Sequence, residues 1–138
     1  MMVLGIDPGE RRVGIAIADL ETRFARPLEV VDRREQDAAE RIAALAGEHS
    51  VSSVVVGRPT TLSGRAGIAV QEQSEFVASL RSLLEVPVVE FDERLTTVIA
   101  ERALREGGAS SSTRKQIRDA VAAQIMLQGY LDSTATPS

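Results

Sequence analysis

The sequence has no cysteine and no tryptophan, a single histidine and a single lysine. Without cysteine there is neither a disulfide framework nor a thiolate metal site, and the cytoplasm is the expected compartment. The one histidine, His49, falls at the end of a predicted helix, where a cation suits the dipole. No nucleophile pattern accompanies it, so a histidine-based triad has no footing and His49 is read as structural. Aromatic residues make up only 3% of the chain, so the core must be built from Val, Ile, Leu and Ala. No apolar run approaches the ~20 residues of a membrane span. The opening MMVLGID has neither the basic region nor the cleavage site of a signal peptide.

Basic residues are also of nearly one kind. Fifteen of the sixteen are arginine, the exception being Lys115. Arginine holds phosphate bidentately. The net charge of −4 is nonetheless a poor bulk signature for a nucleic-acid binder. Any such role has to rest on where the arginines sit. With 138 residues, 43% of them hydrophobic, the chain is expected to form one domain over residues 1–131, with 132–138 a frayed tail.

Periodicity predicts strands at Met2–Asp7, Arg12–Asp19, Phe24–Val31, Val51–Val56 and Val86–Phe91. The first three are joined too tightly for crossover helices, which predicts an antiparallel meander. Helices are expected over Glu35–Glu48, about Ile68–Leu84, from a cap at Thr96 or Thr97 to before Gly107, and from the Ser110–Thr113 cap run to Leu131. The predicted fold is α/β: a mixed five-stranded sheet, strands four and five parallel to strand one, flanked by about four helices. The carboxyl ends of the parallel strands then lie together, where sites form in such sheets.

Four motifs converge on that end. Gly5-Ile6-Asp7-Pro8-Gly9 closes strand one, and a charge ending an apolar strand is expensive unless solvated, paired or metal-bound. Phe91-Asp92-Glu93-Arg94-Leu95-Thr96-Thr97 follows strand five. It offers two adjacent acids that point opposite ways if the strand continues. In the last helix Asp119 shares a stripe with Ala122, Ala123 and Met126, an odd place for an acid, with Lys115 one turn earlier. Val56-Gly57-Arg58-Pro59 ends strand four, with Arg58 a candidate phosphate contact. Asp19 and Asp32 are read as turn acids. Carboxylates from three separated segments, without cysteine or a usable histidine, suit a hard, oxygen-ligated ion such as Mg²⁺. Phosphodiester hydrolysis is the chemistry such an arrangement supports.

These segments resemble the YqgF/RuvX family of RNase H-like nucleases. The resemblance is carried by GIDPGERRVGIAIAD at 5–19, VVVGRP at 54–59, DERLTT at 92–97 and KQIRDAVAAQIMLQGYL at 115–131. It implies an RNase H-like fold and a nuclease dependent on Mg²⁺ or Mn²⁺. Asp7, Glu93 and Asp119 would be the catalytic and metal-holding carboxylates. Arg58, Arg94, Lys115 and Thr96, read from their own places in these motifs, are the expected substrate contacts. The family is linked to maturation of the 16S rRNA 5′ end and is described as resembling Holliday junction resolvases. The expected partners are therefore structured RNA, branched DNA or ribosome precursors, met by a monomer or homodimer without a membrane. Two departures stand out. The related RuvC group has an acid at the end of strand four, where this chain has Gly57. The loop after it carries Arg58, Ser63 and Arg65 where the family commonly reads GLPxxxDGT. Two other classes remain. A non-catalytic ribosome- or nucleic-acid-binding module is one. The other is a phosphotransferase, since DxGxxxxGxA resembles the phosphate turn of actin-like kinases, although 138 residues leave no room for their second domain.

Overall fold

The structure, a computed structural model, describes residues 1–58, 66–92 and 111–134, with side chains for 1–58, 71–92 and 121–133. The described elements are β1 (Met2–Pro8), β2 (Arg12–Asp19), β3 (Ala25–Asp32), α1 (Ala38–Glu48), β4 (Val51–Arg58), α2 (Ala66–Leu83), β5 (Val88–Asp92) and α3 (Ser111–Thr134). The helix predicted from Thr96 or Thr97 lies outside the described residues.

The sheet order is β3-β2-β1-β4-β5. β1 runs antiparallel to β2 from Met2↔Asp19 to Pro8↔Val13, and β2 antiparallel to β3. β4 lies parallel to β1 and β5 parallel to β4. This is the meander with two added parallel strands that the sequence predicts, and it makes β1, which carries Asp7 next to its last residue, the central strand.

Boundary differences have local causes. α1 begins at Ala38 and not at Glu35, because the N–H groups of Glu35 and Gln36 turn back to the Asp32 carbonyl. Asp37 then stays extended and its carboxylate accepts from the Glu40 N–H at 3.0 Å, the usual role of an N-cap. β3 begins at Ala25 because Arg23 takes a left-handed conformation (φ 60°) in the preceding turn; Phe24 is left 76% exposed. β5 begins at Val88 because Pro87 has no N–H to pair and serves only through its carbonyl, which accepts from Val54. α3 runs on to Thr134, taking in three residues assigned to the tail from the sequence. Asp19 and Asp32 are turn acids as read, each accepting a backbone N–H two residues on, from Glu21 and Arg34.

Because strand side chains alternate between faces, the sheet has two separate cores. Leu4, Ile6, Val13, Ile15, Ile17, Val54 and Val56 point to one face and pack under α1 and α2, against Ile42, Leu45, Val77 and Leu80. Val3, Ala16, Ala18, Ala25 and Val55 point to the other and pack under α3, against Ala123, Met126, Leu127 and Leu131. The second floor is rich in small residues, Ala16, Ala18 and Ala25, so α3 can lie close. At Gly5 the two are in near contact: a Cβ there would stand 2.7 Å from Leu127 Cβ. Arg41 of α1 fastens the edge strand β3 by two hydrogen bonds to Glu29, at 2.7 and 2.8 Å. That guanidinium holds the Glu29 carboxyl below its ordinary pKa, against the opposing effect of burial.

Candidate active site at the carboxyl end of the central strand

Asp7 shares the face of Val3 and Gly5, the α3 side of the sheet. Its cross-strand partner in β2 is Gly14. In β4 the register runs to Ile6↔Val56, which brings Gly57 next beside Asp7, on the same face as Val55. The half-buried carboxylate is therefore flanked in both neighbouring strands by residues without side chains. Neither strand neighbour puts a Cβ beside the acid, and glycine is the residue that lets a ligand approach the backbone closely.

The donor chemistry agrees with a hard ion. The chain has no cysteine, and His49 caps the far end of α1, just before Val51, which pairs with Met2 at the opposite end of β1. Oxygen ligands at this end suit Mg²⁺ or Mn²⁺ and disfavour softer metals. Among the described residues no three acids or histidines are gathered tightly enough to hold an ion on their own. The other two expected carboxylates do not fall among the described side chains: Glu93 lies outside the described residues, as do Arg94 and Thr96. Asp119 and Lys115 are placed through the backbone of α3.

The course of α3 is fixed by its second half. Gln128 Nε2 donates to the Arg23 carbonyl at 2.8 Å and its Oε1 accepts from the Ala25 N–H at 2.9 Å. Gln124 Nε2 donates to the Ala25 carbonyl at 3.1 Å, and the Arg23 guanidinium donates to the Leu131 carbonyl. These contacts tie the C-terminal half to the β2–β3 turn, which adjoins the start of β1. Leu127 lies over Gly5, midway along β1. Going back along α3 from Leu127 leads toward the Asp7 end, and position 119 is eight residues back, about 12 Å of helix.

Strand alternation separates other candidates. Phe91 packs with the α3-side core, edge-on to Tyr130 with ring centroids 5.7 Å apart. Asp92 is therefore on the opposite face from Asp7, in register with Arg58, which shares the face of Val56. Arg58 is exposed at the end of β4. On that far face a cavity of about 390 Å³ opens between α1 and α2, lined by Arg33, Asp37, Ala38, Phe76, Ser79 and Leu83. Arg33 stacks over the Phe76 ring at 4.9 Å, and burial lowers its pKa.

Sequence patterns alone passed over Gln73, the one buried polar residue among those described in full. Its Nε2 donates to the Gly57 carbonyl at 3.1 Å, holding the end of β4 beside Asp7. The available signal was a polar residue in an otherwise apolar stripe of α2 with Val77 and Leu80.

A mixed sheet in the order 3-2-1-4-5, with an acid ending the central strand and a helix laid close across that face, defines an RNase H-like enzyme. Solved structures share this fold: T. thermophilus RuvC in complex with a Holliday junction substrate (TM-score 0.58, 22% identity, 96% of this chain and 95% of that one) and the fowlpox virus resolvase with Holliday junction DNA (TM-score 0.60, 12% identity, 99% and 100%). At these identities the likeness speaks for the fold. The chain belongs to the RuvX family, whose model, described as "RuvX: Holliday junction resolvase", matches residues 1–133. A Chloroflexus aggregans relative is 44% identical over 98% of this chain and 96% of its own length, and one from Bacillus thuringiensis is 40% identical over 96% and 99%. Both carry the name "Putative pre-16S rRNA nuclease". The family resemblance read from the motifs is thus borne out, and with it a nuclease, a hydrolase of phosphodiester bonds. No described helix is long and apolar enough to cross a membrane.

Proposed function

We propose that this nuclease is metal-dependent, acts in the cytoplasm on structured nucleic acid, and trims the 5′ end of pre-16S rRNA. Asp7, Glu93 and Asp119 are its catalytic carboxylates. The observation that carries the proposal is the glycine-flanked Asp7 at the carboxyl end of the central strand, on the face that α3 covers. Bound Mg²⁺ or Mn²⁺ supplies Lewis acidity and lowers the pKa of water, which is what phosphodiester hydrolysis at neutral pH requires.

The chain's own residues divide the remaining work. Asp7 offers oxygen ligands from a rigid strand. Gly14 and Gly57 keep its flanks open so that a phosphate can approach. Glu93 is preferred to Asp92 as the third acid because Asp92 shares a face with Arg58, across the sheet from Asp7. Lys115, one helical turn before Asp119, together with Arg94, Thr96 and the exposed Arg58, holds the phosphate backbone. Arginine does so through two parallel N–H donors.

Branched DNA is the second reading, favoured by the fold shared with RuvC bound to a Holliday junction. The test is cleavage of a precursor 16S rRNA fragment and of a synthetic four-way junction, each with Mg²⁺, Mn²⁺ or chelator. Metal-stimulated cutting of the precursor at its 5′ side is expected. Symmetric paired nicks in the junction with intact RNA would transfer the activity to branched DNA. No metal-stimulated cleavage of either would overturn the proposal.

A further inference from the structure

We infer that Gly5 is a positioning residue for the catalytic carboxylates: its missing side chain sets how closely α3 approaches the sheet, and so how far position 119 stands from Asp7. The inference rests on the assignment of Asp7 and Asp119 above. A Cβ on Gly5 would stand 2.7 Å from Leu127 Cβ and 3.1 Å from its Cγ and Cδ2. Real Cβ contacts essentially never fall under 3.0 Å and ordinary contact begins at 3.4 Å, so even alanine requires strand and helix to part by about 0.3 to 0.7 Å, the differences between those limits and 2.7 Å. The nearest atom is a Cβ, fixed to the helix backbone, so no change of the Leu127 rotamer relieves the clash. The helix has to rise.

α3 has little freedom to evade this by sliding. Gln124 and Gln128 tie it to the Arg23–Ala25 segment on one side, and Tyr130 rests edge-on against Phe91 on the other. A lift at Leu127 is therefore carried along the helix toward position 119. Asp7 is only two residues, about 7 Å, beyond Gly5 along β1. Ligand distances at a metal site hold within about 0.2 Å. A displacement beyond that tolerance spoils shared coordination well before it unfolds the sheet. Losing such an outer support costs about 10–100-fold in metal affinity.

A glycine that served packing alone would lower stability and leave the metal affinity of folded molecules unchanged. The test is the Mn²⁺ dissociation constant, by titration at a temperature where thermal melts show each protein fully folded. Wild type, Gly5→Ala, Leu127→Ile and Gly5→Ala/Leu127→Gly are compared. Gly5→Ala is expected to bind at least ~10-fold more weakly. The double variant, which moves the missing Cβ from strand to helix, is expected to recover most of the loss. If Gly5→Ala does not fold, Leu127→Ile decides the question. It keeps the side-chain volume and adds a branch at the crowded Cβ, so weaker Mn²⁺ binding is again expected. A folded Gly5→Ala, or failing that a folded Leu127→Ile, with wild-type affinity overturns the positioning role while leaving the nuclease proposal standing. A wild-type protein that binds no Mn²⁺ overturns both.

Discussion

Under α1 and α2 the sheet presents Leu4, Ile6, Val13, Ile15, Ile17, Val54 and Val56; under α3 it presents Val3, Gly5, Ala16, Ala18 and Val55. The first set is bulky and branched and fills volume. The second, with Gly5, Ala16 and Ala18 beside its two valines, is smaller and admits a helix at near-backbone contact at Gly5. Burial of large aliphatics contributes most of the stability of such a core. A small-residue floor contributes less burial but fixes a distance, and that is the face on which Asp7 stands. With Asp7 catalytic as proposed, the comparison teaches a division of labour: one face keeps the protein folded, and the other holds the proposed site in register.

Mutations can break that division in graded ways. The largest loss of stability is expected from Ile42→Ala, which empties a fully buried position on the α1 side. Denaturant unfolding should show a loss of about 2–5 kcal/mol. Cleavage per folded molecule should stay at wild-type level. Next comes Ala123→Leu, which forces bulk into the fully buried contact under α3. Overpacking costs about 1–3 kcal/mol. Unlike Ile42→Ala, this variant should also lose cleavage activity when assayed while still folded. Equal effects of the two substitutions on activity would erase the distinction between faces.

Asp37→Ala removes the cap of α1 and should cost about 1 kcal/mol in the same unfolding assay, with no change in cleavage. The smallest effect is that of Glu29→Gln, seen in the pH dependence of thermal stability. The Glu29 carboxyl is held below its ordinary value near 4.5 by hydrogen bonds from Arg41. Its contribution is therefore complete above that ordinary value and is lost as pH falls through the depressed one. The variant should melt slightly lower at neutral pH, and the difference from wild type should vanish in acid.

The sequence made the stable face and the first acid legible and left the fastenings dark. Alternation in β1 and β2 and the short turns between them predict the meander. A charge ending an apolar strand marks Asp7. Asp19 and Asp32 declare themselves by the turns they serve. The sequence predicts α1 from Glu35, yet it starts three residues later, at Ala38, because the N–H groups of Glu35 and Gln36 are taken by the Asp32 carbonyl. Ending the fourth predicted strand at Val56 hid the alternation that puts Gly57 on the face of Asp7 and Arg58 across from it; β4 in fact runs to Arg58. The Gly5–Leu127 approach and the Gln124 and Gln128 bonds join residues a hundred or more positions apart, or nearly so. No local pattern records such a pairing, because a glycine in a strand and a glutamine on a helix look the same with or without it.

The proposed function requires Asp7 and Asp119 to serve one ion together. Initial cleavage rates of wild type, Asp7→Asn, Asp119→Asn and the double variant, in Mg²⁺ on a substrate that wild type cuts, test this directly. Groups that act as a unit are non-additive, so each single substitution should lower the rate by more than about 100-fold, beyond the loss of an outer support, and the double should cost little more than either. Single variants that cut as fast as wild type, or losses that multiply in the double, would contradict it.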